Sequence, residues 1–424
     1  MAGSHKRNNW KAKRKKILIQ RLLIAGVSVL FLIAVILLIR SCGSDKDSID
    51  KKETAAAPED TVSTDAGNDA GLMEGSAGET ANADGESTSQ EGTTAAGDES
   101  AEESSEPMMV TAETVPDERS FVLSAVGDCT LGTDKNFNES TSFNAYCEEY
   151  GTGYFFENVK DVLSEDDLTI ANLECTFTTS TERNDKTYAF KAPPEYAEIV
   201  AKGSIEACNL ANNHSNDYGS QSYTDTIEYV EALGIPTFGY DRYQIMDVNG
   251  IKVGLIGYLE LWDEYDTEPK MIEGIETLKE NGAEVIIVTM HWGNEKDHYP
   301  DDIQQYLGHS AIDHGAHLVL GHHSHRIQGI EVYKGRPICY SLSNFSFGGN
   351  RNPSDMDTFI FRQTITVKDG EVLPNKEYET IPCSISSHSD YNDYKPRVLE
   401  GESAERVLEK IAERSEPFSH SEEE

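Results

Sequence analysis

From Ser120 onward, short apolar runs alternate with amphipathic stretches of helical period, and five of the runs stop on a side chain able to hold a metal ion. Parallel strands need a crossover, normally a helix, so this alternation predicts an α/β domain with a largely parallel sheet. In such sheets ligands bind beyond the carboxyl ends of the strands. One pattern thus predicts both the architecture and the edge of it where chemistry belongs.

The apolar runs place strands at 121–126, 168–173, 205–210, 252–258, 285–290, 318–320 and 337–342. Helical periodicity covers 155–163, 194–201, 220–233, 271–281, 301–314 and 403–414. Pro194 suits a first helical turn, and Gly234 and Gly282 suit helix ends. Residues 358–367 and 371–379 read as a closing antiparallel pair. A body of roughly 300 residues can bury one large core as two packed sheets.

The most telling strand end is 317–325, where an apolar run stops at Gly321 and is followed by His322, His323 and His325. Neutral imidazoles hold a divalent ion without burying excess charge. Asp128, Asn172 with Glu174, Asn213 with His214, and His291 end the other four runs. Singly, each has an ordinary structural use: a helix cap, a turn, a core histidine. Together they make a donor set of carboxylates, amide oxygens and imidazoles that suits Mn, Fe or Zn, whereas Ca prefers oxygen alone. One or two ions fit this set, with Asp128, Asn172, Glu174, Asn213, His291, His323 and His325 as ligands. Two ions about 3.5–4 Å apart activate a bridging water and clamp an in-line displacement. Asn213 would then polarise the substrate oxygen, and His214 would protonate the leaving group.

The N-terminal part of the chain is organised differently. Residues 1–16 are basic and carry no acid, and 17–40 form an almost wholly apolar run. That run is about the roughly 20 residues a spanning helix needs, whereas a cleaved leader has an apolar core of only about 7–15. The reading is an uncleaved signal-anchor, with 1–16 cytoplasmic by the positive-inside rule and the rest extracytoplasmic at the cell membrane. Residues 41–118 are rich in Ser, Thr, Ala, Gly, Asp and Glu, too polar to offset their ordering entropy, and read as a disordered acidic tether. The folded domain is assigned to 119–418 and a disordered tail to 419–424.

A formal net charge of −39 excludes nucleic acid as a partner class, because phosphate backbones bind basic surfaces. Seven cysteines are few for a disulfide scaffold. Cys147 and Cys383 are free to pair in an oxidising compartment, and sequence alone assigns no connectivity.

Seven blocks in order carry a resemblance. They are Ala125-Val126-Gly127-Asp128, Asn172-Leu173-Glu174, Phe190-Lys191-Ala192-Pro193, residues 212–219, residues 291–295, Gly321-His322-His323-Ser324-His325 and residues 340–345. With them the chain resembles the capsule-synthesis CapA family, associated with poly-γ-glutamate production and built on a calcineurin-like metallophosphoesterase fold. The resemblance implies a four-layer sandwich, two packed mixed sheets flanked by helices. It also implies a divalent-metal site, and as partners an anionic envelope polymer or its synthase subunits. Departures from the family pattern are visible. The broader Asp-x-His is Asp128-Cys129-Thr130, so one imidazole ligand is absent; Glu174 stands where a bridging aspartate is usual; Ser343 and Ser324 replace a usual Gly and Pro. Trp292, Glu295, Asn344 and His322 are candidates to contact substrate. Two functions are consistent with these residues: a membrane-anchored metal-dependent hydrolase of an envelope polymer or precursor, or a non-catalytic accessory subunit of polyglutamate synthesis and export.

Overall fold

The computed structural model describes residues 117–262 and 264–419. The segment read as a signal-anchor, nearly all of the segment read as a tether, and the tail beyond Ser419 lie outside the described residues. Among the described residues no helix is long and apolar enough to cross a membrane.

The strands, in chain order, are β1 (Glu118–Thr130), β2 (Leu168–Leu173), β3 (Thr176–Phe177), β4 (Lys191–Ala192), β5 (Ala207–Asn209), β6 (Thr237–Phe238), β7 (Gln244–Val248), β8 (Ile251–Glu260) and β9 (Val285–Trp292). They continue as β10 (Leu318–His322), β11 (Ile330–Tyr333), β12 (Arg336–Cys339), β13 (Asn344–Phe347), β14 (Asp357–Lys368), β15 (Glu371–Val372), β16 (Glu379–Ser384) and β17 (Arg397–Val398). A nine-stranded sheet runs β17-β16-β14-β1-β2-β5-β6, with β13 also on β1 and β15 on β14. A six-stranded sheet runs β11-β12-β10-β9-β8-β7. Both are mixed: β1, β2, β5, β6 and β13 are parallel, as are β8, β9, β10 and β12, while β7, β11, β14, β15, β16 and β17 pair antiparallel.

Side chains alternate faces along a strand, and here the alternation sorts residues between separate cores. Phe121, Leu123 and Ala125 of β1, Leu168 and Ile170 of β2, Val253 and Leu255 of β8, Val285 and Ile287 of β9, and Leu318 and Leu320 of β10 share one buried cluster between the sheets. Their neighbours turn outward. Ala171 and Leu173 join Phe143, Ile199 and Val230 beneath the helices Phe143–Tyr150, Glu198–Lys202 and Gly219–Glu231. Ile286, Val288 and Val319 join Met271, Ile275, Leu307 and Ala311 beneath the helices Thr267–Glu280 and Asp302–Asp313. The order helices, sheet, sheet, helices is therefore written in strand parity. Burying each such side chain contributes roughly 1.5–3 kcal/mol, so the inter-sheet cluster fixes how the two sheets face.

Some local readings shift. Residues 155–163 are mostly turns, with helix only at Lys160–Leu163. The main closing partner of β14 is β16, with β15 a short addition, because Pro374 lacks the donor a continuing strand needs. Cys147 and Cys383 are each buried and free, as are Cys129, Cys175, Cys208 and Cys339; no disulfide joins them.

Candidate metal centre

The parity that builds the core also aims the polar strand ends. On β2 the inward positions 168 and 170 continue to Asn172 and, just past the strand, Glu174. On β5 inward Ala207 leads to Asn209; on β9 inward Val285 and Ile287 lead to His291; on β10 inward Leu318 and Leu320 lead to His322. Asp128 has the wrong parity for β1, but the register of β1 against β2 slips between Val126 and Asp128, a bulge that re-aims it. Gly127 permits this, since a Cβ there would lie 2.1 Å from the Ser343 carbonyl oxygen, and the Asp128 amide donates to that same oxygen at 2.8 Å.

Two groups of donors result. In the first, His291 Nε2 lies 2.9 Å from Asn213 Oδ1, 3.0 Å from His323 Nδ1 and 3.4 Å from Glu174 Oε1. Three acceptors thus crowd one ring nitrogen, whose single proton satisfies at most one of these contacts. They are well spaced for a transition metal, whose ligands at about 2.0–2.2 Å stand roughly 3 Å apart. In the second group Asp128 faces His322 Nδ1 and His325 Nδ1, each at 3.3 Å, and accepts from Asn172 Nδ2 at 2.8 Å. Glu174 connects the two groups: its carboxylate and the ring nitrogens of His323 and His325 lie within 4.8 Å of one another. Asn344 Oδ1 sits 2.8 Å from His325 Nδ1.

The electrostatics describe a site that holds protons where a cation would sit. Burial pushes Glu174 well above the usual carboxylate range, and the Asp128 charge adds to it. Burial also opposes ionisation of Asp128, but its contacts with His322 and His325 outweigh that and hold it well below the usual range. Burial would lower His325, yet Glu174 and Asp128 raise it to about 9. Burial and the neighbouring His325 lower His323 to about 4, and burial with His323 drives His291 well down. Glu174 Oε1 and both ring nitrogens of His322 are buried without a hydrogen-bond partner. Such orphaned atoms cost about 1–3 kcal/mol each unless something else binds them. The donor set therefore fits a divalent ion. His323 (φ 90°) and His325 (φ 53°) also adopt left-handed backbone, costing about 1–3 kcal/mol apiece, as held-in-place functional residues do.

His214 belongs to an adjoining assembly. Its Nδ1 lies 2.7 Å from Asp217 Oδ2, and Asp217 also accepts from Lys186 Nζ at 2.7 Å and the Phe190 amide at 2.6 Å. Lys186 donates further to the Asn213 carbonyl at 2.7 Å and lies 3.3 Å from His214 Nδ1; against the Asp217 carboxylate a neutral imidazole carries its proton on Nδ1 and its lone pair on Nε2. Burial lowers the His214 pKa more than Asp217 raises it. At neutral pH this histidine accepts a proton before it can give one, which adds a step to the leaving-group role assigned from sequence.

Of the ligands named from sequence, Asp128, Glu174, Asn213, His291, His323 and His325 converge, with His214, His322 and Asn344 beside them; Asn172 lies among them but turns its Nδ2 to Asp128 and His291 while its Oδ1 accepts from Asn209 and Asn212, so it positions ligands and does not ligate. Trp292 does not: one residue past His291, it points the other way, packs in the outer core and donates to the Tyr340 carbonyl at 2.9 Å. Glu295 is exposed and acts on His323 and His325 only through its charge. Sequence reading missed Asn209 and Asn212, which donate to Asn172 Oδ1 at 2.9 and 3.2 Å and fix its amide. Strand parity would have found Asn209. It also missed Asp217 and Lys186, which sit in irregular segments where no periodicity marks them.

Residues 122–349 match the family described as "Bacterial capsule synthesis protein PGA_cap". The chain is 29% identical over 255 residues to the "Capsule biosynthesis protein CapA" of Bacillus anthracis, covering 54% of this chain and 60% of that protein. It is 28% identical over 295 residues to the "PGA biosynthesis protein CapA" of Bacillus subtilis (strain 168), covering 63% and 75% respectively. A "Probable polyglutamine synthesis accessory protein" of Mycobacterium tuberculosis (strain CDC 1551 / Oshkosh) is 27% identical over 212 residues, 42% of this chain and 55% of that protein.

Proposed function

The chain belongs to the bacterial capsule synthesis family PGA_cap, of the metallophosphoesterase-like superfamily, and from that premise we propose that it is a metal-dependent hydrolase acting on an envelope polymer or its precursor during capsule or polyglutamate synthesis. The observation that carries the reading is the meeting of Asn213, Glu174 and His323 within 3.4 Å of His291 Nε2, from both sheets. Glu174, His291, His323 and Asn213 would hold one ion. Asp128 and His325 would hold a second, with Glu174 between them. A divalent ion there supplies Lewis-acid polarisation and lowers the pKa of water. The chain's own residues do the rest. His214, its Nδ1–H fixed on Asp217, takes a proton at Nε2 from the attacking water and returns it to the leaving group. Lys186 pairs with Asp217 and holds the Asn213 carbonyl in place. Asn209 and Asn212 keep the Asn172 amide turned toward Asp128. Residues 17–40 would anchor the domain at the cell membrane, with 119–418 outside and 41–118 as spacer.

The test is an assay of the full chain, stripped with chelator and reloaded with Mn²⁺ or Zn²⁺, on a generic phosphodiester. Turnover that disappears in His214→Ala and His323→Ala supports a hydrolase; absence of turnover with every ion tried sinks it.

A second reading, a polymer-binding accessory role, has its own observation. A cavity of about 530 Å³ is lined by Tyr240, Tyr243, Tyr258 and Trp262, the last 74% exposed. Tyr240 also donates to the Asn212 carbonyl at 2.6 Å, beside the loop bearing Asn213 and His214. Saturable polymer binding by metal-stripped protein would favour this role.

A further inference from the structure

We propose that His322 is a metal ligand, supplying from β10 the imidazole that an Asp-x-His pattern would place at Thr130; this rests on the metal-centre reading above. Thr130 cannot ligate in that way, and its hydroxyl is 3.5 Å from Glu174 Oε2. The ion beside Asp128 would therefore have His325 as its one nitrogen donor unless another element provides a second. His322 stands on β10 directly across from His291 on β9, and its parity sends it into the space between the sheets. Its Nδ1 lies 3.3 Å from Asp128 Oδ1, near enough for both atoms to share a cation.

The ordinary alternative is a core histidine with satisfied nitrogens. His322 is 1% exposed, yet neither Nδ1 nor Nε2 has a hydrogen-bond partner. Other histidines show what satisfaction looks like in this fold: His309 Nε2 sits 2.9 Å from Glu331, and His317 Nδ1 accepts from the Ile286 amide at 3.0 Å. An imidazole sealed in the interior, with Nδ1 meeting only a buried carboxylate at 3.3 Å and Nε2 without a partner, is the arrangement a bound cation resolves. A substrate-contact role needs access that this degree of burial denies, so the geometry revises the role given to His322 from sequence. Gly321 makes the placement possible: a Cβ there would lie 2.1 Å from the Tyr340 carbonyl oxygen.

The experiment is Co²⁺ titration of chelator-stripped full-length protein by calorimetry, with metal content measured after desalting, for wild type, His322→Ala and the bulkier His322→Gln. Circular dichroism and thermal unfolding of the stripped variants check folding. The expected result is loss of one bound ion, or, where wild type takes only one, at least about tenfold weaker affinity in both variants. Wild-type stoichiometry and affinity in a folded variant overturn the assignment of His322 while leaving the metal centre standing. No Co²⁺ uptake by wild type overturns both.

Discussion

Glu174→Gln should move stability in opposite directions with and without metal. Glu174 is 1% exposed, Oε1 has no hydrogen-bond partner, and Oε2 has only the Thr130 hydroxyl at 3.5 Å. Burial and Asp128 raise its pKa well above the usual carboxylate range in the folded, metal-free protein. In the unfolded chain it ionises near pH 4.3. The folded state then binds more protons, so stability falls as pH rises through and above that value. A neutral glutamine removes that penalty. Relieving a poorly satisfied buried acceptor is worth about 1–2 kcal/mol, or roughly 2–4 °C for a domain of this size. With metal the sign reverses. An ion at about 1,000 times its Kd stabilises wild type by about 4 kcal/mol, and a hundredfold loss of affinity would leave about 1.4 kcal/mol. Thermal unfolding of stripped and Zn²⁺-loaded protein at pH 7 reads both quantities. Equal metal-induced shifts in wild type and variant would refute Glu174 as a ligand. Destabilisation of the stripped variant by several kcal/mol would refute the claim that its carboxyl is unsatisfied.

Asp217→Ala leaves Lys186 and the buried Phe190 amide without their carboxylate and should cost about 3–5 kcal/mol in urea unfolding, with Asp217→Asn milder. Gly127→Ala drives a methyl against the Ser343 and Leu342 carbonyls and should cost about 2–3 kcal/mol, whereas Gly282→Ala, at φ 85° in open space, should cost about 1 kcal/mol; paired thermal melts compare them. Burial, with Arg336 and Lys279, lowers the His317 pKa to about 3, so the fold keeps it neutral while the unfolded chain titrates near 6.5. Its contribution is full above pH 6.5 and lost as pH falls toward 3. His317→Gln should flatten the stability profile in that window by up to about 1.4 kcal/mol per pH unit, checked by urea unfolding at pH 4–7.

Strand ends were legible because their chemistry obeys a simple rule: apolar runs mark buried strands, and the polar residues just past them face the carboxyl edge. Asp128, Asn172, Glu174, His291 and His323 all conform to it. Parity carries more than the runs alone. It separates His291 from Trp292, which share a strand end but face opposite layers, and it draws in Asn209 and His322. The bulge at Asp128 breaks parity and is set by the close approach of β13, which no local pattern announces. Lys186 and Asp217 were illegible for a related reason. They meet across an irregular stretch whose course is fixed by tertiary hydrogen bonds, among them Asn184 Nδ2 to the Asn216 carbonyl at 2.6 Å.

The central claim is that side chains from two facing sheets gather to bind a divalent ion. Anomalous diffraction at the manganese edge, from crystals of Mn²⁺-loaded protein, addresses it directly. The account predicts a strong peak enclosed by Glu174, His291, His323 and Asn213. Anomalous signal found only at the acidic surface, or none between the sheets, would contradict it.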